Sequence, residues 1–432
     1  MNIVKYKFIR RSLESPVFIF IIRLPFVIAF FLIIFSGLFG SVYRNAATLT
    51  VGVIWLVFIS LAAILAGKIW CLVCPWNVLT EWIQDILRLP NAGFNVPKVF
   101  NNLWLAVFFF LLIIWLEYAI GLANNARFIA YLAIIIFGVT FIPALLFPRK
   151  SFCRYGCPVG AICGLYGLFA PLELRSADKN TCRKCLTKDC IKGNDNGDAC
   201  PVFEYPGTMD DNLYCILCTE CIKTCPNDNI ALNIRMPAAD LLKFRLLSFS
   251  EMFMLVTMLA LSVFGAINIS KVYFQVMEWA SAKLLLPETI SLLLLVLALI
   301  AVFILVIYAI AGLYKISASM VSYVLLPVAL FNHLANTVKL FSVRAEDVIP
   351  LVSDPFGFSW NLFGTAGYLP NPLLAPNHLV YIAGPLMIIG LLYSAYLLFR
   401  ARRLNGISPP ATVHCLLFAV ILVWFNWWLM AK

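Results

Sequence analysis

The strongest chemical signal in this sequence is a run of four cysteines that ends in proline. The run consists of Cys215, Cys218, Cys221 and Cys225-Pro226. Thiolates are soft ligands for iron, and this spacing is typical of the ligands of [4Fe-4S] clusters. Three thiolates in a short turn can surround one cubane, while the fourth ligates a second cubane. The run therefore predicts two clusters rather than one.

A looser cysteine set precedes this run and supplies the missing ligands. It consists of Cys182, Cys185, Cys190 and Cys200-Pro201. In bacterial two-cluster ferredoxins the last cysteine of each half ligates the other cluster. This crosswise rule predicts one cluster held by Cys182, Cys185, Cys190 and Cys225, and another held by Cys200, Cys215, Cys218 and Cys221. A pair of zinc sites is the alternative.

Two further cysteine pairs follow apolar stretches. Cys71 and Cys74 precede Pro75, and Cys153 and Cys157 precede Pro158. Each pair also follows a basic and an aromatic residue: Lys68 and Trp70, then Lys150 and Phe152. The four thiols could hold a third [4Fe-4S] cluster, with Cys163 replacing one ligand or binding nothing. Redox-active or merely buried thiols are the alternative. Cys415 is expected to be a core residue.

The three histidines all lie in the C-terminal region. His333 and His378 are expected near the outer face, as is Glu117, whereas His414 is expected near the inner face. Ionisable groups in or near membrane spans are candidates for quinol binding or haem ligation. Interfacial side chains also often just contact water or headgroups. We therefore predict a candidate quinol site at His333, His378 and Glu117, and the sequence does not favour a b-type haem.

The composition indicates the kind of structure that must hold these residues in place. Of 432 residues, 62% are hydrophobic and 12% are charged, about half the charged fraction of a soluble domain. The net charge of +11 does not indicate nucleic acid, because most basic residues lie in loops between apolar runs. The runs predict about nine transmembrane helices: 24–40, 49–67, 103–122, 128–147, 251–269, 290–313, 318–340, 379–399 and 413–428.

The predicted fold is an all-α polytopic membrane bundle with an inserted two-cluster ferredoxin-like α+β domain. We expect a four-helix membrane region with the first cysteine pair (1–148), the second pair with a membrane-edge helix (149–175), the insert (176–245) and a five-helix membrane region (246–432) with an outer loop (341–377). The bias of Lys and Arg predicts a cytoplasmic N-terminus and insert, and an outside C-terminus, in the inner membrane.

The two motif copies, Gly67-Lys68-Ile69-Trp70-Cys71-Leu72-Val73-Cys74-Pro75 and Cys153-Arg154-Tyr155-Gly156-Cys157-Pro158-Val159-Gly160, resemble those of NapH/NosR/CcoG-type membrane polyferredoxins. The first copy departs from that family in having two residues between its cysteines rather than three. The resemblance covers residue 24 to about residue 235 and suggests thiol ligands at Cys71, Cys74, Cys153 and Cys157.

The resemblance also implies a function, namely electron transfer between the quinone pool and a redox partner. We therefore expect an electron-transfer subunit of a quinol dehydrogenase-like oxidoreductase complex. Its partners would be lipid, quinone and a cytoplasmic or extracytoplasmic redox protein, without nucleic acid. The alternative is an assembly or copper-reducing factor of the CcoG kind. No residues dedicated to substrate chemistry are visible in the sequence.

Overall fold

The computed structural model describes residues 1–43, 45–89, 93–147, 150–268, 271–375 and 378–431. The expected boundaries at residues 148 and 149, at 269, at 377 and at 432 lie outside the described residues. Helices dominate the described chain, with one two-stranded sheet. The predicted all-α membrane architecture is confirmed at this level.

The strands are β1 (Leu172–Ser176) and β2 (Ile230–Ile234). The α-helices are α1 (Lys7–Glu14), α2 (Pro16–Phe39), α3 (Ala46–Leu49), α4 (Leu56–Ala66), α5 (Trp70–Val73), α6 (Pro75–Ile86), α7 (Trp104–Ile120), α8 (Ala126–Leu146), α9 (Ser151–Tyr155), α10 (Pro158–Tyr166), α11 (Lys179–Lys184), α12 (Asp189–Lys192), α13 (Glu220–Thr224), α14 (Phe249–Ile267), α15 (Lys271–Leu284), α16 (Glu288–Tyr314), α17 (Ala318–Val324), α18 (Leu326–Arg344), α19 (Val348–Ser353), α20 (Val380–Asn405) and α21 (Pro409–Ala431).

Eight helical segments in the described chain are long and apolar enough to cross a membrane. They are Pro16–Phe39, Ala46–Ile86, Ala126–Leu146, Phe249–Ile267, Glu288–Tyr314, Ala318–Ser353, Val380–Asn405 and Pro409–Leu429. The remaining predicted span corresponds to α7, which is apolar but has 17 residues. At 1.5 Å per residue α7 is about 25 Å long, shorter than a hydrocarbon core of about 30 Å. The count of nine spans therefore stays a prediction.

The chain divides into two compact units. The first comprises Met1–Leu38, Phe58–Ala106 and Ala130–Lys243, and the second comprises Phe39–Val57, Val107–Ile129 and Phe244–Lys432. The first unit holds every cysteine except Cys415, and the second holds the three histidines.

In the first unit, a small antiparallel sheet closes the insert. β1 pairs with β2 from Leu172 opposite Ile234 to Ser176 opposite Ile230. Leu174 and Leu232 face each other in this register and belong to a buried core that also includes Leu217. The sheet thus joins the start and the end of the cysteine-rich segment, which fixes the loops between them.

The N-terminal residues pack on the insert, which the sequence did not lead us to expect. The amino group of Met1 donates to the carbonyl of Ile234 at 2.8 Å, and Asn2 forms a β-bridge with Asn233. Val4 is buried in the core of the insert. The chain therefore adds an N-terminal edge to the sheet before it enters α2.

A buried carboxylate anchors the end of the insert. The side chain of Asp240 is fully buried and pairs with Arg175 at 3.1 Å and with Lys243 at 2.8 Å. Arg235 donates to both of its oxygens. Burial alone would raise the pKa of Asp240, but the hydrogen bonds from Arg235 and Lys243 hold it below its usual range. The carboxylate therefore stays ionised among three cations.

The second unit is built on α14, α18, α20 and α21. α14 begins with a capping box, in which Ser248 and Glu251 satisfy each other's backbone N–H groups, and most of the helix is buried. α18 packs against α20, where a Cβ at Gly390 would lie 2.8 Å from the Cβ of Phe331. Close helix approach at small residues is common in membrane bundles.

Candidate iron–sulfur sites

The structure brings Cys182, Cys185, Cys190 and Cys225 together. The pKa of Cys190 is raised to about 11, first by burial and then by the charges of Cys225, Cys182 and Cys185. Asn229 contacts two of these sulfurs. Its backbone N–H donates to Sγ of Cys225 at 3.3 Å, and its Nδ2 donates to Sγ of Cys182 at 3.2 Å. We refer to these four cysteines as the first insert set.

Cys200, Cys215, Cys218 and Cys221 form the second insert set. Burial raises the pKa of Cys221 well above its ordinary value, and the charges of Cys218, Cys215 and Cys200 act in the same direction. Leu217 and Thr219 adopt left-handed conformations, with φ of 55° and 65°. These two reversals wrap the backbone so that closely spaced cysteines face one centre.

The two Cys-Pro segments of the insert have the same local geometry. Three residues after each cysteine the backbone is left-handed, at Phe203 (φ 56°) and at Asp228 (φ 49°). One residue later a backbone N–H donates to that cysteine's sulfur at 3.3 Å, from Glu204 to Cys200 and from Asn229 to Cys225. The two Cys-Pro segments thus repeat the same local structure, and their N–H donors are suited to thiolate ligands.

The membrane-edge pairs sit at helix starts. Cys74 and Cys157 occupy the N-cap positions of α6 and α10, each of which opens with proline. Gly160 N–H donates to Sγ of Cys157 at 3.4 Å. Proline suits the first helical position because its missing N–H is not needed there. The positive end of each helix dipole favours a thiolate at that cap.

These two helix starts meet in the first unit. Burial raises the pKa of Cys153 well above its ordinary value, and so do the charges of Cys71, Cys157 and Cys74. We refer to these four cysteines as the membrane-edge set. Cys163 is fully buried, and its burial and the charges of Cys71, Cys157 and Cys74 raise its pKa well above the ordinary value. The thiol of Cys153 also points to Oδ1 of Asn77 at 3.8 Å.

Glycines on α10 permit the close approach that forms the membrane-edge set. A Cβ at Gly164 would lie 2.3 Å from the carbonyl oxygen of Leu213, just before the second cysteine run. A Cβ at Gly160 would lie 2.7 Å from the carbonyl oxygen of Cys153. Both contacts are with backbone atoms, so no side-chain movement would relieve them.

The membrane-edge set lies next to the second insert set. Cys71 is packed in a buried cluster with Val202 and Ile216, against which Cys200 and Cys218 also pack. Arg154 pairs with Glu204 at 2.8 Å and lies 4.5 Å from the ring of Tyr214, which precedes Cys215. The two sets are therefore in contact through packed side chains.

Buried cations surround this contact. Lys68 and Lys150 are only 1% and 6% exposed. Lys150 pairs with Glu81 at 2.8 Å, and Glu81 also pairs with Arg23 at 3.1 Å. Burial alone would lower the pKa of Lys150, but the charge of Glu81 raises it, so the ammonium stays charged. The sequence showed these lysines beside the motifs, but it did not show their burial or the partners Glu81 and Arg23.

The three sets fit anionic iron–sulfur clusters. No three Cys, His, Asp or Glu side chains in the described ranges converge closely enough to bind one metal ion. Cubane ligands bind four separate irons, so they stand further apart than the ligands of a single ion. Neighbouring N–H donors and buried cations would offset the negative charge of thiolate-held clusters. These donors and cations therefore suit thiolate-held iron–sulfur clusters.

The other candidate residues belong to the second unit. Glu117, near the end of α7, accepts the backbone N–H of Ala123 at 2.7 Å, which gives it a role in the turn. His378 is exposed, with its ring 6.2 Å from that of Tyr381, and His333 is half-buried in α18. His414 contacts Tyr314 at 2.9 Å, and Cys415 is buried in α21, as expected of a core residue.

Fold and sites together define a multi-pass membrane protein whose cysteines are arranged for iron–sulfur clusters. A family model described as a 4Fe-4S binding domain matches residues 48–90 and 129–173, which contain the membrane-edge set. No solved structure matches the chain.

Curated proteins of similar sequence add to the match with a 4Fe-4S binding domain. The chain is 27% identical to the uncharacterized protein MJ0749 of Methanocaldococcus jannaschii, over 48% of this chain and 80% of that protein. It is 29% identical to the putative electron transport protein YccM of Escherichia coli, over 29% of this chain and 32% of YccM. It is 26% identical to the regulatory protein NosR of Stutzerimonas stutzeri, over 41% of this chain and 26% of NosR. These matches confirm the predicted resemblance to NosR-type membrane polyferredoxins.

Proposed function

We propose that this protein is a membrane electron-transfer subunit that relays electrons between the quinone pool and a redox partner. The observation that carries this proposal is the contact between Cys71 and the second insert set, which brings separate candidate cluster sites together. Bound [4Fe-4S] clusters would supply one-electron carriers there. The match of a 4Fe-4S binding domain and the likeness to YccM support this function.

We propose three clusters, held by the first insert set, the second insert set and the membrane-edge set. The protein's own part is to hold the thiolates, to supply N–H donors to them and to exclude water from the membrane-edge set. Iron and acid-labile sulfide content, with EPR of the reduced protein purified anaerobically in detergent, tests the proposal. About twelve irons per chain would support three cubanes.

About eight irons would confine the clusters to the insert. The membrane-edge cysteines would then be thiols, and the assembly or copper-reducing alternative would gain support. Binding of Cu(I), measured by competition with a chelator, then separates the two functions, because only the alternative requires a copper site. An iron content near zero would overturn the proposal itself.

A cavity in the first unit supports the quinone part of the proposal. It has a volume of about 420 Å³ and is lined by Pro16, Val17, Ile19, Phe20, Arg23, Trp82, Glu220 and Lys223. The rings of Phe20 and Trp82 lie 5.1 Å apart. Glu220 lies between Cys218 and Cys221 in sequence. Aromatic walls with a few charged groups suit a quinone headgroup, so we place exchange with quinone here.

Photolabelling with an azidoquinone tests this placement. We expect label in the peptide that contains residues 16–23, and loss of that label in Ile19→Trp, at a lining residue that is only 8% exposed, because the added bulk would fill the cavity. Ile21→Trp adds the same bulk on α2 at a residue that is 59% exposed and does not line the cavity, so it should label normally. Label at His333, His378 or Glu117 instead would favour the outer-face site.

We also propose nine spans, with the N-terminus and insert cytoplasmic and the C-terminus outside. Reporter proteins fused to the two termini test this topology. A fluorescent protein fused before Met1 and an alkaline phosphatase fused after residue 432 should both be active. A fluorescent C-terminal fusion of green fluorescent protein would instead indicate eight spans, with α7 not crossing the bilayer.

A further inference from the structure

Two lysines occupy equivalent places in the motif copies and are both buried. Lys68 lies three residues before Cys71, and Lys150 lies three residues before Cys153. Their exposed fractions are 1% and 6%. An ammonium group is costly to bury unless nearby charges and dipoles compensate it. Two such groups beside one set of thiols therefore require an electrostatic reason.

Lys150 belongs to a network with an excess of positive charge. Two cations, Lys150 and Arg23, share one carboxylate, that of Glu81. Burial raises the pKa values of both Cys153 and Cys218, and the charge of Lys150 opposes that rise in each. Lys150 therefore acts on thiols of both the membrane-edge set and the second insert set.

Lys68 acts on the membrane-edge set from the other side. Its Nζ would lie 3.7 Å from a Cβ at Gly160, and its Cδ 3.5 Å from a Cβ at Gly164, so its side chain runs along the glycine face of α10. The nitrogen also lies 5.8 Å from the ring centre of Tyr214. Burial raises the pKa of Cys157 and the charge of Lys68 opposes that rise.

We propose that Lys68 and Lys150 set the reduction potential of the membrane-edge cluster, and that Lys150 couples this cluster electrostatically to its neighbour in the second insert set. The inference rests on the proposed third cluster. Reduction adds negative charge to a site already held by four thiolates, and a buried cation stabilises that charge strongly because water does not screen it. Both lysines are positioning residues, since neither is a ligand.

Redox titration followed by EPR tests this inference. The signal of the membrane-edge cluster is identified as the one lost in Cys153→Ser. We expect Lys68→Met to shift this signal alone to a more negative midpoint potential. Lys150→Met should shift two signals, those of the membrane-edge cluster and of the cluster in the second insert set. Lys150→Arg keeps the positive charge, so both signals should stay at their wild-type potentials. Lys98→Met, at an exposed lysine, should shift none.

A substitution of opposite sign separates an electrostatic role from a structural one. Glu81→Gln removes the negative partner of Lys150, so it should shift the membrane-edge signal to a more positive potential. If Lys150→Met and Glu81→Gln shift that signal in the same direction, or if neither shifts it, the inference is wrong. Iron content distinguishes the levels of failure: eight irons in the wild type would overturn the third cluster itself, whereas twelve irons with unshifted potentials would overturn only the lysines' role.

Discussion

The insert and the membrane edge present the same ligand, cysteine, in two different ways. In the insert, left-handed residues such as Leu217 and Thr219 bend a short segment so that its own cysteines meet. At the membrane edge, Cys74 and Cys157 cap α6 and α10, whose starts are far apart in sequence. The insert sets therefore depend mainly on local turns, while the membrane-edge set depends on the packing of two distant helix starts.

The chemical surroundings of the cysteines also differ between the first insert set and the membrane-edge set. In the first insert set, Cys185 is only partly buried, and hydrogen bonds from the Lys188 backbone and Thr187 lower its pKa. At the membrane edge, burial raises the pKa values of Cys153 and Cys163 well above their ordinary value. The first insert set thus stabilises the Cys185 thiolate by hydrogen-bond donors near solvent, whereas the membrane-edge set relies on buried cations. The first insert set is therefore the more accessible of the two, and the membrane-edge set is the better isolated from water.

The largest expected effect separates the two regions. Cys153→Ser should remove about four of about twelve irons and one EPR signal, because a hydroxyl is a poor replacement for a buried thiolate ligand. Both insert signals should persist, since their ligands are held by local turns. Iron analysis and EPR provide the measurement. Loss of all clusters would show instead that the insert cannot assemble without the membrane-edge set.

Within the insert, Cys225→Ser tests crosswise ligation. Cys225 lies in the second cysteine run, but its charge acts on Cys190, beside Cys182 and Cys185. Cys225→Ser should therefore abolish the same EPR signal as Cys182→Ser and spare the signal that Cys221→Ser abolishes. Pairing of the Cys225→Ser and Cys221→Ser losses would mean that each run binds its own cluster.

Asp240→Asn should be the most destabilising substitution away from the cysteines. It leaves Arg175, Arg235 and Lys243 without their shared carboxylate, and breaking a buried ion pair costs roughly 3–5 kcal/mol. Urea unfolding of the detergent-solubilised protein at pH 7 measures the change. Asp210→Asn is the control, because Asp210 is 68% exposed in its pair with Lys179, and exposed pairs contribute roughly 0–1 kcal/mol. Equal losses in both variants would contradict the prediction.

The stability that Asp240 contributes should depend on pH in a defined direction. The folded-state pKa of Asp240 is lowered, so its contribution to stability is fully present above the unfolded pKa of about 3.9 and is lost as pH falls through the folded value. The difference in unfolding free energy between wild type and Asp240→Asn should therefore be constant near neutral pH and shrink only in acid.

Gly164→Ala should disturb the membrane edge by a smaller amount. The added methyl group would lie 2.3 Å from the carbonyl oxygen of Leu213, and overpacking costs roughly 1–3 kcal/mol. We expect a lower thermal midpoint and a weaker membrane-edge EPR signal. Gly138→Ala in α8 is the matched control, because a Cβ there has no neighbour within 4 Å. It should leave the midpoint unchanged or slightly raised.

The sequence predicted more about the insert than about the membrane edge. The spacing from Cys215 to Cys225 is typical of two-cluster ferredoxins, and from it the sequence predicts two crosswise ligand sets in the insert. Helix positions followed from apolar runs in the same way, although the length of α7 left the span count open. Local patterns identify such features because their causes are local.

The sequence did not predict contacts between segments that are far apart in the chain. The sequence showed Lys68 and Lys150 but not the buried network through Glu81 and Arg23, whose members come from three separate segments. It also gave no sign that Met1 and Val4 would join the insert, because backbone pairing at a sheet edge needs no particular side chain. Glu117 was selected for its charge, whereas the structure shows it closing a turn.

The smallest expected effect lies in the first insert set, at Asn229. Its Nδ2 donates to Sγ of Cys182, while its backbone N–H, which reaches Cys225, would survive substitution. Asn229→Ala should therefore lower the midpoint potential of this cluster slightly, because one hydrogen bond to a sulfur is lost and another remains. The other two signals should not move, and Asn180→Ala, at an exposed residue, should shift none. A shift as large as that of Lys150→Met would contradict the contrast drawn between the regions, because it would mean that single N–H donors in the insert matter as much as buried cations at the membrane edge.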